Sequence, residues 1–214
     1  MPLTILTDDL WFPPAEEATG DGLLALGGNL STNRLLLAYR NGIFPWFNED
    51  EPPLWWCPDP RFVLFPQELK VSKSMQQLFK RNEFEVTINK AFAEVIRLCA
   101  DTRMLKEGTW ITNEIIGAYS QLYNMGYAVS IEAWNHEELV GGLYGIRMGN
   151  LFFGESMFSK VSNASKYAFI SYIKQLQNEG LVLVDCQVYT EHLESLGARM
   201  INRKKFLQIV KENL

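Results

Sequence analysis

From Phe62 onwards the apolar positions fall into recognisable periods. Phe62 to Phe65 is an apolar run of strand length, and Ser72 caps a helix expected to reach Arg81. Glu85 to Asn89 alternates as a strand does, and Ala91 to Ala100 is apolar at helical spacing. A polar loop is expected from Asp101 to Thr109, followed by a helix that Thr112 caps and Gly126 closes after Met125. Three strands follow, Tyr127–Trp134, Leu139–Met148 and Leu151–Phe158. The turns between them, Asn135-His136-Glu137-Glu138 and Gly149-Asn150, have hairpin chemistry. Asn163 to Asn178 reads as a long amphipathic helix ending at Gly180, and Leu181–Val184 as a buried strand. A short helix from Thr190, a strand around Ala198–Asn202 and a helix over Lys204–Glu212 complete the pattern.

Before Phe62 the pattern is different. All nine prolines lie at or before Pro66, and four of the six tryptophans lie within the first 56 residues. Proline interrupts helices and central strands alike, so residues 1–61 are expected to form a small, irregular N-terminal domain. Its clear helix is Ser31 to Asn41, capped by Ser31 or Thr32 and ended by Gly42. Residues 62–214 read as α+β, with a mixed, largely antiparallel sheet and flanking helices. That order of elements is similar to the acyl-CoA N-acetyltransferase fold.

Composition narrows the function classes. The chain has 214 residues, 47% hydrophobic and 21% charged, which is ordinary for a globular protein. No apolar run approaches the ~20 residues of a membrane span. The opening MPLTILTDDLWFPP lacks a basic start and a continuous apolar stretch, so a cytoplasmic protein is expected. Cys57, Cys99 and Cys186 have no CxxC spacing and only His136 and His192 beside them, so no metal site can be drawn and the thiols are expected to be reduced. Net charge is −5, unlike a general nucleic-acid binder, but it is unevenly spread. Residues 1–60 carry two basic and nine acidic side chains, residues 70–106 eight basic and four acidic. Lys73, Lys80 and Arg81 share one stripe of their expected helix, with Gln77 interrupting it, and Arg97, Arg103 and Lys106 extend the basic segment. A phosphate contact and a solvated helix face both remain open there.

Three polar residues stand in apolar strands. In Val184-Asp185-Cys186-Gln187 a period of two places Asp185 and Gln187 on one face and Cys186 on the other. A carboxylate beside an amide can orient that amide and draw off a proton, or it can simply cap local backbone. Glu155 stands among Leu151, Phe152, Phe153, Met157 and Phe158, which is costly without a partner or a solvated cleft, unless it lies on a polar surface. Phe153 and Met157 share its face by the same alternation, and with Leu143 they suit an apolar pocket as well as plain core. A CoA-dependent acetyltransferase would enter its central helix through a Gly-rich turn. Here the entry is Ser159-Lys160-Val161-Ser162-Asn163-Ala164-Ser165, with no glycine, which argues against CoA.

Ten segments in order carry a more specific resemblance: GLLALGGNLS (22–31), YRNGIFPWF (39–47), LWWCPDPR (54–61), EGTWIT (107–112), SIEAW (130–134), ELVGGLYG (138–145), LFFGESMFS (151–159), NASK (163–166), DCQV (185–188) and LGA (196–198). Through them the chain resembles the leucyl/phenylalanyl-tRNA–protein transferases, a bacterial, cytosolic family. The resemblance implies a small N-terminal domain joined to an acetyltransferase-like one. It also implies transfer of Leu or Phe, and Met less well, from aminoacyl-tRNA to proteins with N-terminal Arg or Lys, marking them for N-end rule degradation. Neither a cofactor nor a metal is implied, because ester-to-amide conversion runs downhill; a monomer suffices. The resemblance favours catalytic roles for Asp185, Gln187 and Glu155, and a donor side-chain pocket from Leu143, Phe153 and Met157. Trp46 and Trp110, in loops beside proline or glycine, suit stacking on the terminal adenosine. Lys73, Lys80 and Arg81 suit the acceptor-stem phosphates. A CoA acetyltransferase and a non-catalytic tRNA- or peptide-binding module of the same fold are the alternatives.

Overall fold

A computed structural model of the chain describes residues 3–104 and 109–214. The N-terminal segment is more regular than its proline density suggests. Strands β1 (Thr4–Leu6), β2 (Leu23–Gly27), β3 (Phe44–Pro45) and β4 (Leu54–Trp56) form a four-stranded sheet in the order β1-β2-β4-β3, with helix α1 (Thr32–Arg40) beside it. β1, β3 and β4 have only two or three residues, too short to display a period, which hides them in the sequence. Ser31 accepts a hydrogen bond from the Arg34 amide at the start of α1. The buried Arg34 guanidinium donates to the carbonyls of Thr7, Asp9 and Trp11, tying the first strand to that helix.

The larger sheet has seven strands: β5 (Arg61–Leu64), β6 (Glu85–Ile88), β7 (Ala128–Asn135), β8 (Glu138–Met148), β9 (Leu151–Ser159), β10 (Leu183–Gln187) and β11 (Arg199–Ile201). Their order is β11-β5-β10-β9-β8-β7-β6. Neighbours are antiparallel except β9 and β10, which run parallel and are joined by helix α5 (Ala164–Asn178). The fold is α+β with a mixed, largely antiparallel sheet, as the sequence pattern predicts. Helix α2 (Lys73–Arg81) starts at a Ser72 cap and α4 (Asn113–Asn124) at a Thr112 cap. Helix α3 (Phe92–Met104) runs four residues past the expected end at Ala100. Thr102 turns its hydroxyl back to the Leu98 carbonyl and lets the polar last turn stay helical, which shortens the expected loop. Short α6 (Glu191–Glu194) and α7 (Arg203–Asn213) close the chain's described part.

Two apolar layers sandwich this sheet. On one face Tyr39 of α1, Val95 and Cys99 of α3, Tyr119 of α4 and Phe206 of α7 pack on Val63, Tyr144, Phe153 and Leu183, in a core continuous with Trp55 of the small sheet. On the other face Met75 of α2 and Tyr167, Phe169 and Ile173 of α5 pack on Leu64, Leu143, Phe152 and Val184. Gly141 lets α5 approach β8 closely, since a Cβ there would stand 2.6 Å from the Ala164 Cβ. Among the described residues no helix is long and apolar enough to cross a membrane.

Candidate active site

The parallel pairing of β9 and β10 stops at Phe153 opposite Asp185. Both strands carry a bulge just beyond that point. On β9 the register to β8 shifts between Gly154 and Ser156, making Glu155 the extra residue. On β10 the register to β5 shifts between Asp185 and Gln187, and Gln187 adopts a left-handed backbone with φ of 63°. A bulge adds a residue without a ladder partner and re-aims the side chains around it. Here two bulges face each other across the gap where the strands part. A cavity of about 330 Å³ occupies that gap, with Gly154–Ser159 on one wall, Val184–Val188 on the other, and Phe169 and Leu193 closing it from the helices.

The polar side of the gap is a connected network. Arg61, the first residue of β5, is wholly buried and donates from Nε and Nη2 to the two Asp185 oxygens, at 2.8 and 2.7 Å. Its guanidinium lies between the rings of Phe44 and Phe206, 4.6 and 4.4 Å from their centroids. Burial works against the Arg61 charge, but the Asp185 carboxylate outweighs it and holds the guanidinium protonated. Asp185 is only 1% exposed, and its Oδ1 also accepts the Gln187 amide at 3.0 Å, which pins the left-handed turn. From there the Gln187 side chain donates from Nε2 to Glu155 Oε1 at 3.0 Å. Tyr39 donates to the same oxygen at 2.8 Å, Tyr119 to Oε2 at 3.1 Å, and the two hydroxyls touch each other. Glu155 is 6% exposed. Burial raises its pKa to about 7, against the opposing hydrogen bonds from Tyr39 and Tyr119. A carboxyl poised there exchanges a proton near neutral pH.

A family model described as leucyl/phenylalanyl-tRNA protein transferase matches residues 63–211, and one for its N-terminal domain matches residues 28–59. The chain belongs to this transferase family. Two proteins named leucyl/phenylalanyl-tRNA–protein transferase illustrate the likeness. The one from Syntrophobacter fumaroxidans is 53% identical over 100% of this chain and 92% of its own. The one from Flavobacterium johnsoniae is 57% identical over 96% of this chain and 98% of its own. Among solved structures, an aminoglycoside acetyltransferase from a soil metagenomic sample matches at a TM-score of 0.41, with 15% identity over 61% of this chain and 89% of that one.

The transferase fold brings some of the sequence-predicted residues together and separates others. Asp185, Gln187 and Glu155 meet in one network. Asp185 and Gln187 share a side of the strand and Cys186 faces the α5 layer, although a bulge and not simple alternation sets Gln187. The expected pocket trio is split. Leu143 and Met157 line the cavity, whereas Phe153 does not; it is 1% exposed and packs on Tyr39, 5.1 Å between ring centroids. The extra residue at Glu155 is the cause, because it turns Met157 to the face opposite Phe153. Phe169, Val184 and Cys186 complete the apolar wall that Phe153 was expected to supply.

Neither tryptophan lines the cavity. Trp46 is 44% exposed with its ring tilted against Trp56, so it offers a free aromatic face. Trp110, expected as an open loop face, is 9% exposed in the core, 6.0 Å from the guanidinium of Arg103. Arg103 reaches the cavity wall and donates to Ser156 Oγ. Lys73, Lys80 and Arg81 all lie exposed on α2, and none is in a salt bridge among the described residues. Arg97 is exposed beside a second cavity with Glu49 and Asp101, and Lys106 lies outside the described residues. The three cysteines are free and buried. Sequence reasoning missed Arg61, Tyr39 and Tyr119. The signal for Arg61 was its place at the end of LWWCPDPR, directly before an apolar run.

Proposed function

We propose that this protein transfers Leu or Phe, and Met less well, from aminoacyl-tRNA to the α-amine of N-terminal Arg or Lys residues of cytoplasmic proteins, as a monomer. The new peptide bond gives those proteins an N-end rule degradation signal. The observation that carries this reading is the buried Glu155–Gln187–Asp185–Arg61 network at the mouth of a mostly apolar cavity, in a chain of this family. Such a site needs to hold two substrates in register, help an amine lose a proton and stabilise an oxyanion.

The residues divide that work as follows. Glu155, ionised above about pH 7, takes up the proton that the attacking amine gives up. Gln187 spends its Nε2 on Glu155 and presents its carbonyl oxygen to an amine N–H. Asp185, bonded on both oxygens to Arg61, is an anchor for Gln187 and not a base facing substrate. Leu143 and Met157, with Phe169 and Val184, receive the donor side chain. This apolar pocket accepts Leu, Phe and Met and resists β-branched Val and Ile, whose second methyl is fixed near the backbone. Trp46 stacks on the terminal adenosine, while Trp110 backs Arg103 at the cavity wall. The stripe of Lys73, Lys80 and Arg81 meets the acceptor-stem phosphates.

A CoA-dependent reaction is disfavoured by the start of α5. Its first turn packs against Gly141, and the Ser165 amide is already bonded to Ser159 Oγ at 3.1 Å. That amide is one that a pyrophosphate would need. The test is incubation with labelled Leu-tRNA and an Arg-starting peptide, alongside acetyl-CoA with the same peptide. Label on the peptide in the first mixture alone is expected. Acetylation in the second would restore the CoA reading, and no product in either would leave a binding module.

A further inference from the structure

Four buried side-chain atoms lack a hydrogen-bond partner among the described residues: Arg34 Nε, Arg61 Nη1, Tyr144 Oη and His192 Nε2. The two arginines are held by their other nitrogens and lie off the cavity; His192 lines the cavity as Tyr144 does, but its side chain is only half-buried. Tyr144 is different. It is 0% exposed, it lines the cavity, and its hydroxyl is the only polar group its side chain has. Buried tyrosine hydroxyls almost always find a partner, so an orphan at a substrate cavity calls for a ligand atom.

Its surroundings limit what that atom is. Tyr144 pairs with Ser156 across β8 and β9, and Ser156 already accepts from Arg103. Its ring packs edge-on against Tyr119, 5.7 Å between centroids. The Tyr119 and Tyr39 hydroxyls are both spent on Glu155. Three tyrosines thus gather beside one carboxyl, and two of them satisfy it. Burial, and then the Glu155 charge, push the Tyr144 pKa well above the usual phenol value, so this hydroxyl donates and never ionises at working pH. A neutral donor fixed beside the proton acceptor suits an oxygen that gains negative charge during reaction.

We propose that the Tyr144 hydroxyl donates its hydrogen bond to the carbonyl oxygen of the aminoacyl ester and stabilises the oxyanion formed there. The proposal rests on the transferase reading above. As the acceptor nitrogen bonds to the carbonyl carbon, the C=O π pair moves to the oxygen that Tyr144 holds. When that pair returns, the ester C–O bond breaks. The amine's proton passes by way of Glu155 to the departing ribose oxygen, and Tyr144 keeps its own proton throughout.

Tyr144→Phe removes one oxygen atom that has no partner among the described residues, so folding should be untouched. The measurement is the single-turnover rate of Leu transfer from Leu-tRNA to an Arg-starting peptide, together with KM for Leu-tRNA and the Tm. A rate loss of about 100-fold is expected, with KM within about twofold and Tm unchanged or higher. A rate within about twofold of wild type would overturn the proposal, as would a loss confined to KM, which marks a ground-state contact. A lowered Tm with activity restored on cooling would also overturn it, by showing a structural role. Absence of transfer by the wild-type protein would instead sink the transferase reading, and this role with it.

Discussion

The two sides of the split between β9 and β10 are built from opposite materials. Towards α1, α3 and α4 lie Arg61, Asp185, Gln187 and Glu155, nearly every polar atom of them bonded. Towards α5 lie Leu143, Met157, Phe169 and Val184, with nothing to bond. A buried polar group is tolerable only when its partners are fixed, so the first side is rigid by necessity. The second side recognises by shape, which is limited to ~1–3 kcal/mol per methylene-sized misfit. Reaction chemistry and donor choice are therefore separable, and substitutions should affect one without the other.

The largest effects belong to the polar side. Gln187→Ala and Asp185→Asn should each lower kcat by roughly 100-fold, with the donor KM little changed, since misplacement of a reacting group by ~1 Å costs that much. Steady-state kinetics with Leu-tRNA measures this, and near-wild-type kcat in either variant would remove it from the mechanism. Smaller effects belong to the apolar side. Leu143→Phe should narrow the cavity and cut Phe transfer relative to Leu by about tenfold, within the range that pocket shape supplies. Competition between Leu-tRNA and Phe-tRNA gives the ratio. A pH–rate profile that moved in this variant would show that the two sides are coupled after all.

Much of this site is legible in the sequence, and the part that is not has a common cause. Regular alternation finds β8, β9 and β10, and apolar surroundings make Glu155 and Asp185 conspicuous. Alternation also assigns Phe153 and Met157 to one face, and there it fails, because a bulge inserts one residue and leaves no local mark. Arg61 and Tyr39 are illegible for another reason. They lie 124 and 116 residues from the carboxylates they bond, and periodicity carries no information at that range. Trp110 looked like a loop residue beside glycine; it is buried in one core with α3, and the polar residues 101–103 concealed that helix's last turn, which carries Arg103 to 6.0 Å from the Trp110 ring.

Glu155 is the point where the polar network meets the reaction, and its proton is the most direct thing to follow. Its ionised form is required, and its folded pKa is about 7, so kcat/KM should rise with pH through about 7. The acceptor amine adds its own rise near pH ~7.7–8.0. Profiles from pH ~5.5 to ~8.5 on wild-type protein, Glu155→Gln and Tyr39→Phe separate the two. Wild type should show the lower limb, and Glu155→Gln should lose it and keep only that of the amine. Tyr39→Phe, lacking a donor to the carboxylate, should move the lower limb to higher pH. Identical profiles for all three proteins would contradict the assignment of Glu155 as the proton acceptor.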